Sequence, residues 1–90
     1  MTPKEIRKFI FDRYKSQLSD HGYTDESIPI DFDLLLKGVI DSMGILELVS
    51  ALEQSYGIEL DMSALDAEKL TIIGPLSDFV ASQVDRKTAK

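Results

Sequence analysis

The 90-residue sequence predicts an all-α fold, a small four-helix bundle with three longer helices and a short third one. Three observations lead there. Apolar residues recur at spacings of three and four in three separate stretches, the period of a helix. No two runs alternate in a way that would pair them as strands. The connection between the first two helical stretches, residues 19–41, is long yet rich in apolar residues, which suits a loop packed across helices. Ninety residues, 43% of them apolar, are enough for one modest core and too few for two. One domain is expected over residues 1–85, with 86–90 as a polar tail.

Thr2-Pro3-Lys4-Glu5 opens the first helix, with Thr2 at the N-cap, Pro3 at the first helical position and Glu5 completing a capping box. Ile6, Phe9, Ile10, Tyr14 and Leu18 draw one apolar face, so the helix is expected to run to Leu18 or Ser19. Phe11 lies off that stripe and is expected to be partly exposed. In the connection, Ile28, Ile30, Phe32, Leu34, Leu35, Leu36, Val39 and Ile40 all need cover. Asp33 to Lys37 predicts a single helical turn closed by Gly38 in a left-handed conformation.

The second helix is expected from Ser42 to Tyr56, ending at Gly57. A serine at a helix start is ordinarily an N-cap. At 100° per residue, Ile45, Leu48, Val49, Leu52 and Tyr56 face the core. Met43, Leu46, Glu47, Ser50, Glu53 and Gln54 fall roughly opposite. Acids mixed with two exposed apolar residues suit a docking face better than a merely solvated one. Gly44, Ala51 and Ser55 form a small-residue flank that another helix can approach. Beyond Gly57, Ile58 and Leu60 alternate with Glu59 and Asp61 in an extended piece. Asp61 or Ser63 is placed to cap a short helix over Ala64 to Leu70, with Leu65 and Leu70 inward. Thr71 is placed to cap a last helix through Val84, with Pro75 in its first turn and Ile72, Ile73, Leu76, Phe79 and Val80 as its apolar positions.

Net charge is −6, unevenly spread. Residues 1–18 carry five basic and two acidic side chains; residues 19–85 carry fourteen acids against Lys37 and Lys69. Such a surface repels a phosphate backbone and attracts basic protein surfaces, so nucleic acid is excluded as a partner. No apolar run approaches a membrane span, no apolar signal region follows Met1, and there is no cysteine. A cytoplasmic monomer without membrane insertion is expected, and any thiol chemistry needs a thiol supplied from outside.

No catalytic set is present. Ser42 as a nucleophile needs a base, and the only histidine is His21 in the first loop. Asp31-Phe32-Asp33 begins like a calcium loop, but Leu35, Leu36 and Ser42 stand where it needs an oxygen ligand, a glycine and a glutamate. No metal site and no enzymatic activity are expected.

The run Gly38-Val39-Ile40-Asp41-Ser42-Met43, followed by Glu47-Leu48, resembles the attachment motif of acyl and peptidyl carrier proteins. The likeness extends through the Tyr56-Gly57-Ile58-Glu59-Leu60 exit to the last helix. It implies that Ser42 Oγ accepts 4′-phosphopantetheine from coenzyme A through a phosphopantetheinyl transferase. It implies a free-standing carrier that holds acyl or aminoacyl cargo as a thioester. Asp41 would position the motif, and Met43, Leu46, Glu47, Ser50 and Glu53 would recognise partners. Those partners are the transferase, a loading ligase and downstream enzymes with basic docking surfaces. Ser50, Gln54 and Ser55 stand where carriers of central fatty-acid synthesis are more acidic, Gly44 lowers helix propensity, and the third helix carries a small insertion. These departures point away from housekeeping fatty-acid synthesis and towards a dedicated pathway that loads an amino acid or a special acyl group. The competing expectation is an unmodified helical adaptor with the same fold, in which Ser42 only caps its helix.

Overall fold

The computed structural model describes residues 2–24, 26–61, 63 and 65–88, with the side chains of 67, 87 and 88 left aside. Among the described residues five helices follow in order: α1 Pro3–Arg13, α2 Lys15–Asp20, α3 Ser42–Tyr56, α4 Ala67–Leu70 and α5 Ile73–Thr88. The architecture is the expected helical bundle, with α1, α3 and α5 long. Among the described residues there is no strand, only an isolated antiparallel bridge between Asp33 and Ile72.

The single first helix expected from the sequence is interrupted. Tyr14 adopts φ −115° and ψ 30°, and its N–H is shared between the carbonyls of Ile10 and Phe11, each at 3.2 Å. Ladder bonding then resumes, with the Leu18 N–H donating to Tyr14 O at 3.0 Å. Thr2 occupies the N-cap position, but its side chain makes no capping bond; only its carbonyl accepts, from the Glu5 N–H. Phe11 is buried, contrary to expectation. A helix that packs along α5 and is flanked by the connection buries more than one stripe, and Lys4 and Arg7 share a groove with Ile28 and Ile30 of that connection. Phe9 reaches the other edge, where its ring meets Tyr56 at 5.8 Å between centroids.

The core joins Ile6, Ile10 and Leu18 to Leu48 and Leu52 of α3 and to Ile73, Leu76 and Val80 of α5, all fully buried. Its one fully buried polar side chain among the described residues, Ser77, donates its hydroxyl to Ile73 O at 2.6 Å, so burial leaves no unpaired group.

The start of α5 is set by the connection. The Ile73 N–H donates to Phe32 O at 2.9 Å and the Gly74 N–H to Ile30 O at 2.8 Å, while the Leu34 N–H returns to Thr71 O at 2.8 Å. Loop carbonyls thereby satisfy donors that a side-chain cap ordinarily takes. A Cβ on residue 74 would lie 2.5 Å from Ile30 O, so this approach requires glycine. Thr71 accordingly closes α4 and does not cap α5, and the last helix begins at Ile73. It also runs past Val84 to Thr88, so residues 86–88 are helical where a tail was expected. The short helix begins at Ala67, with Asp66 as N-cap; Ala64, its expected start, lies outside the described residues. Asp61 accepts from the Ser63 hydroxyl and N–H in a local turn ahead of it.

Candidate functional site

A short turn raises the site to the surface. Asp33 Oδ1 accepts from the N–H groups of Leu35 and Leu36, both at 3.0 Å, and the Lys37 N–H closes a helical turn onto Asp33 O. Gly38, at φ 74°, ends it in the left-handed region, as expected. Val39 and Ile40 then both donate to Leu34 O and bury their side chains. With those two pointing inward, Asp41, Ser42 and Met43 emerge exposed. Not every apolar residue of the connection finds cover: Ile30 is 65% and Leu36 81% exposed, and Leu35 is also at the surface.

The cap that a serine at a helix start ordinarily supplies comes here from Asp41. Asp41 is extended at φ −96° and ψ −177°, and its Oδ1 accepts from the Gly44 N–H at 2.7 Å. Ser42 is the first residue inside α3, exposed, at the positive end of a 15-residue helix. Gly44 explains itself by proximity: a Cβ there would meet Ile40 Cβ at 3.0 Å and Asp41 Oδ1 at 3.3 Å. The close neighbour at this glycine is the entering loop, where the sequence led us to expect another helix.

Along α3, Ile45, Leu48, Val49 and Leu52 are buried, Tyr56 is half-buried, and Gly57 stops the helix at φ 63°. On the far side Met43 and Leu46 are 65% and 60% exposed, alongside exposed Glu47 and Ser50. These four, with Arg13, Ala51 and Gln54, line an open groove of about 450 Å³. Glu53 separates from them. It is half-buried, and its Oε2 accepts from the Leu60 N–H at 2.9 Å, tying the extended piece after α3 back to the helix. Glu53, expected on the recognition face, thus also makes a structural bond within the chain. Helical spacing could not reveal this, because the partner is a backbone group beyond the helix end. Arg13 is the reverse case, a residue that sequence reasoning assigned no role and that the fold brings beside α3.

Two titrations are displaced. Burial, then the neighbouring Glu5 carboxylate, push the Tyr56 phenol above its ordinary value. The Ser63 hydroxyl and N–H hold the Asp61 carboxyl below its ordinary value. Neither lies at the head of α3. His21 is exposed at the end of α2, and among the described residues no cluster of His, Cys, Asp and Glu is placed to hold a metal ion.

Comparison with known proteins shows the family. The family model described as the phosphopantetheine attachment site matches residues 21–79. An acyl carrier protein of Saccharopolyspora erythraea is 33% identical over 81 residues, covering 89% of this chain and 83% of its own. No solved structure matches the chain. With a matching stretch that runs from the end of α2 into α5, the chain belongs to the phosphopantetheine-attachment family and is a carrier with a covalently held 4′-phosphopantetheine, not a catalyst.

Proposed function

We propose that Ser42 Oγ is the attachment point and that the protein presents acyl or aminoacyl cargo to partner enzymes over the outer face of α3. The observation that carries this reading is the division of labour between Asp41 and Ser42. Asp41 supplies the cap, so the Ser42 hydroxyl is not needed to hold the helix together. An exposed hydroxyl there is open to a transferase, and a phosphodiester formed on it sits at the positive helix end. When bound, the group supplies the thiol that carries cargo as a thioester, which a chain without cysteine lacks.

Asp41 fixes the backbone that the transferase meets. Met43 and Leu46 offer a small apolar anchor, and Glu47 and Ser50 a polar rim that favours basic partner surfaces. The partners in this reading are the transferase, a loading ligase and downstream acyl-processing enzymes, met in the cytoplasm by a monomeric carrier. No helix among the described residues is long and apolar enough to cross a membrane. A dedicated pathway is favoured over central fatty-acid synthesis because Ser50 and Gln54 dilute the acidity of the exposed face.

Incubation with coenzyme A and a phosphopantetheinyl transferase, followed by intact-mass measurement, tests the attachment. The wild type is expected to gain one phosphopantetheine and Ser42→Ala none. A wild type without added mass would leave the fold as an unmodified adaptor. Equal gain by both proteins would move the site elsewhere.

A further inference from the structure

The basic start of the chain has no part in presenting cargo, yet it builds a groove of its own. Lys4 and Arg7 of α1 and Ile28 and Ile30 of the connection line about 410 Å³, together with Glu26. Neither cation enters an ion pair with a described residue, although residues 19–85 hold fourteen acids. Lys8, a turn beyond Lys4, does meet Asp12 at 3.5 Å. Ile28 is buried, while Ile30 stands 65% exposed. That exposure is fixed by the backbone, because the Ile30 carbonyl accepts the Gly74 N–H at 2.8 Å. A side chain pinned in this way cannot retreat into the core. The Phe9 ring meets Tyr56 at the last residue of α3, whereas Arg13 shares a groove with Gly44. α1 therefore runs antiparallel to α3, which puts Lys4 and Arg7 towards Tyr56 and away from Ser42. No residue of this groove lines the grooves beside Met43, Leu46 and Asp41.

We infer that this groove is a second docking site, which takes an acidic segment of a partner protein with one apolar side chain between carboxylates. Charge complementarity chooses the occupant. The apolar side chain seats against Ile28 and Ile30, and the carboxylates meet Lys4 and the Arg7 guanidinium, whose planar donors match a carboxylate in pairs. Arg7 is half-buried, so an anion beside it is less screened than at a fully exposed cation. Glu26 repels carboxylates from its own edge and so sets which way the segment lies. An anionic membrane is a poorer match. The acidic remainder of the chain opposes a negative surface, and one exposed isoleucine offers little apolar area to insert. The polarity is opposite to that of the α3 face, which favours basic surfaces. A partner held at α1 leaves Met43, Leu46 and Glu47 uncovered, so the protein stays tethered while the enzymes that visit α3 exchange. Binding here is independent of attachment at Ser42.

The test titrates the full-length protein with an end-capped peptide, a leucine between two pairs of aspartates, and follows side-chain shifts by nuclear magnetic resonance. Saturable shifts are expected at the Ile28 and Ile30 methyls and the Arg7 guanidinium, with the Met43 and Leu46 methyls unmoved. Arg7→Glu, or asparagines in place of the peptide's aspartates, should weaken binding about ten-fold, and Arg7→Lys about three-fold at most. Ile30→Asp changes a side chain already in solvent and should weaken binding as Arg7→Glu does, so the result stands even where Arg7→Glu disturbs the fold. Intact mass followed over time should show Arg7→Glu accepting phosphopantetheine at the wild-type rate. Slower loading in a folded variant would merge the two faces and overturn the second site. Equal affinity for the aspartate and asparagine peptides overturns it too, as does the absence of saturable shifts at Ile30. Ile30 shifts produced by phosphatidylglycerol vesicles and not by the peptide would assign the groove to a membrane and overturn the protein partner.

Discussion

Asp41 Oδ1 accepts the Gly44 N–H at 2.7 Å, one residue ahead of the serine that enters α3. The motif's acid and its serine therefore have separable roles. Replacing Asp41 with Ala should remove about 1 kcal/mol of stability, lowering the melting temperature by about 4–8 °C for a domain of this size. Ser42→Ala should stay within about 0.5 kcal/mol of wild type. Urea unfolding of both variants decides it; a larger loss in Ser42→Ala would return the cap to the serine. Asp41→Asn keeps an acceptor for Gly44, so any slowing of its modification at unchanged stability measures what the transferase reads in the charge.

At Gly74 the loop and α5 are in backbone contact, and a methyl group has no room beside Ile30 O. Gly74→Ala should cost about 1–3 kcal/mol through forced displacement. Gly44→Ala meets only a tight side-chain contact and regains helix propensity worth up to about 1 kcal/mol. Thermal unfolding should therefore rank Gly74→Ala well below Gly44→Ala. The reverse order would mean that the loop yields freely at the start of α5.

Glu47 and Glu53 should part company under charge reversal. Glu47 is exposed, so Glu47→Lys should leave stability within about 0.5 kcal/mol and slow transfer to basic partners, most of all at low salt. Glu53→Lys removes the acceptor of the Leu60 N–H and should lower stability by about 1–3 kcal/mol. Glu53→Gln keeps a carbonyl acceptor and should lie between. Transfer rates for Glu47→Lys that match wild type at low ionic strength would remove Glu47 from the docking face.

The Tyr56 phenol should titrate above the ordinary tyrosine value, because burial and then Glu5 disfavour the phenolate. Its folded-state value is raised. The stabilisation is therefore complete below the unfolded-state value near 10 and is lost as pH climbs through the folded one. Ultraviolet difference titration of wild type against Tyr56→Phe should show the missing component as the late one. A missing component at or below the ordinary value would contradict the packing of Tyr56.

Local chemistry was legible in the sequence wherever one element decides its own form. Gly57 stops α3, Gly38 ends the turn before the motif, and the buried face of α3 follows helical spacing, all with partners a few residues away. What escaped depends on neighbours distant in the chain. Phe11 is buried because α1 is flanked on more than one side, and α5 starts at Ile73 because carbonyls from the connection reach it. Glu53 turns to Leu60 across a helix end. At the site, the motif singles out position 42, but which residue caps α3 was not legible: serine and aspartate both cap helices, and only geometry shows which oxygen meets the N–H of Gly44.

The joining of Ile30 and Phe32 to Ile73 and Gly74 has a consequence for biosynthesis. A growing chain that has emerged through α3 already contains Ser42 and its whole helix, yet the connection leading into it still lacks the donors that fix its course. Those arrive only with the beginning of the last helix, and closing so long an interval is among the slower steps a small domain takes. A transferase that reads the path of the entering loop as well as the hydroxyl would thus meet its substrate only on chains that already include the start of α5. A chain ending before residue 71 should accept the prosthetic group far more slowly than the full-length protein. Equal rates would show that the serine alone is read. Three backbone hydrogen bonds would in that case make modification wait for the start of α5.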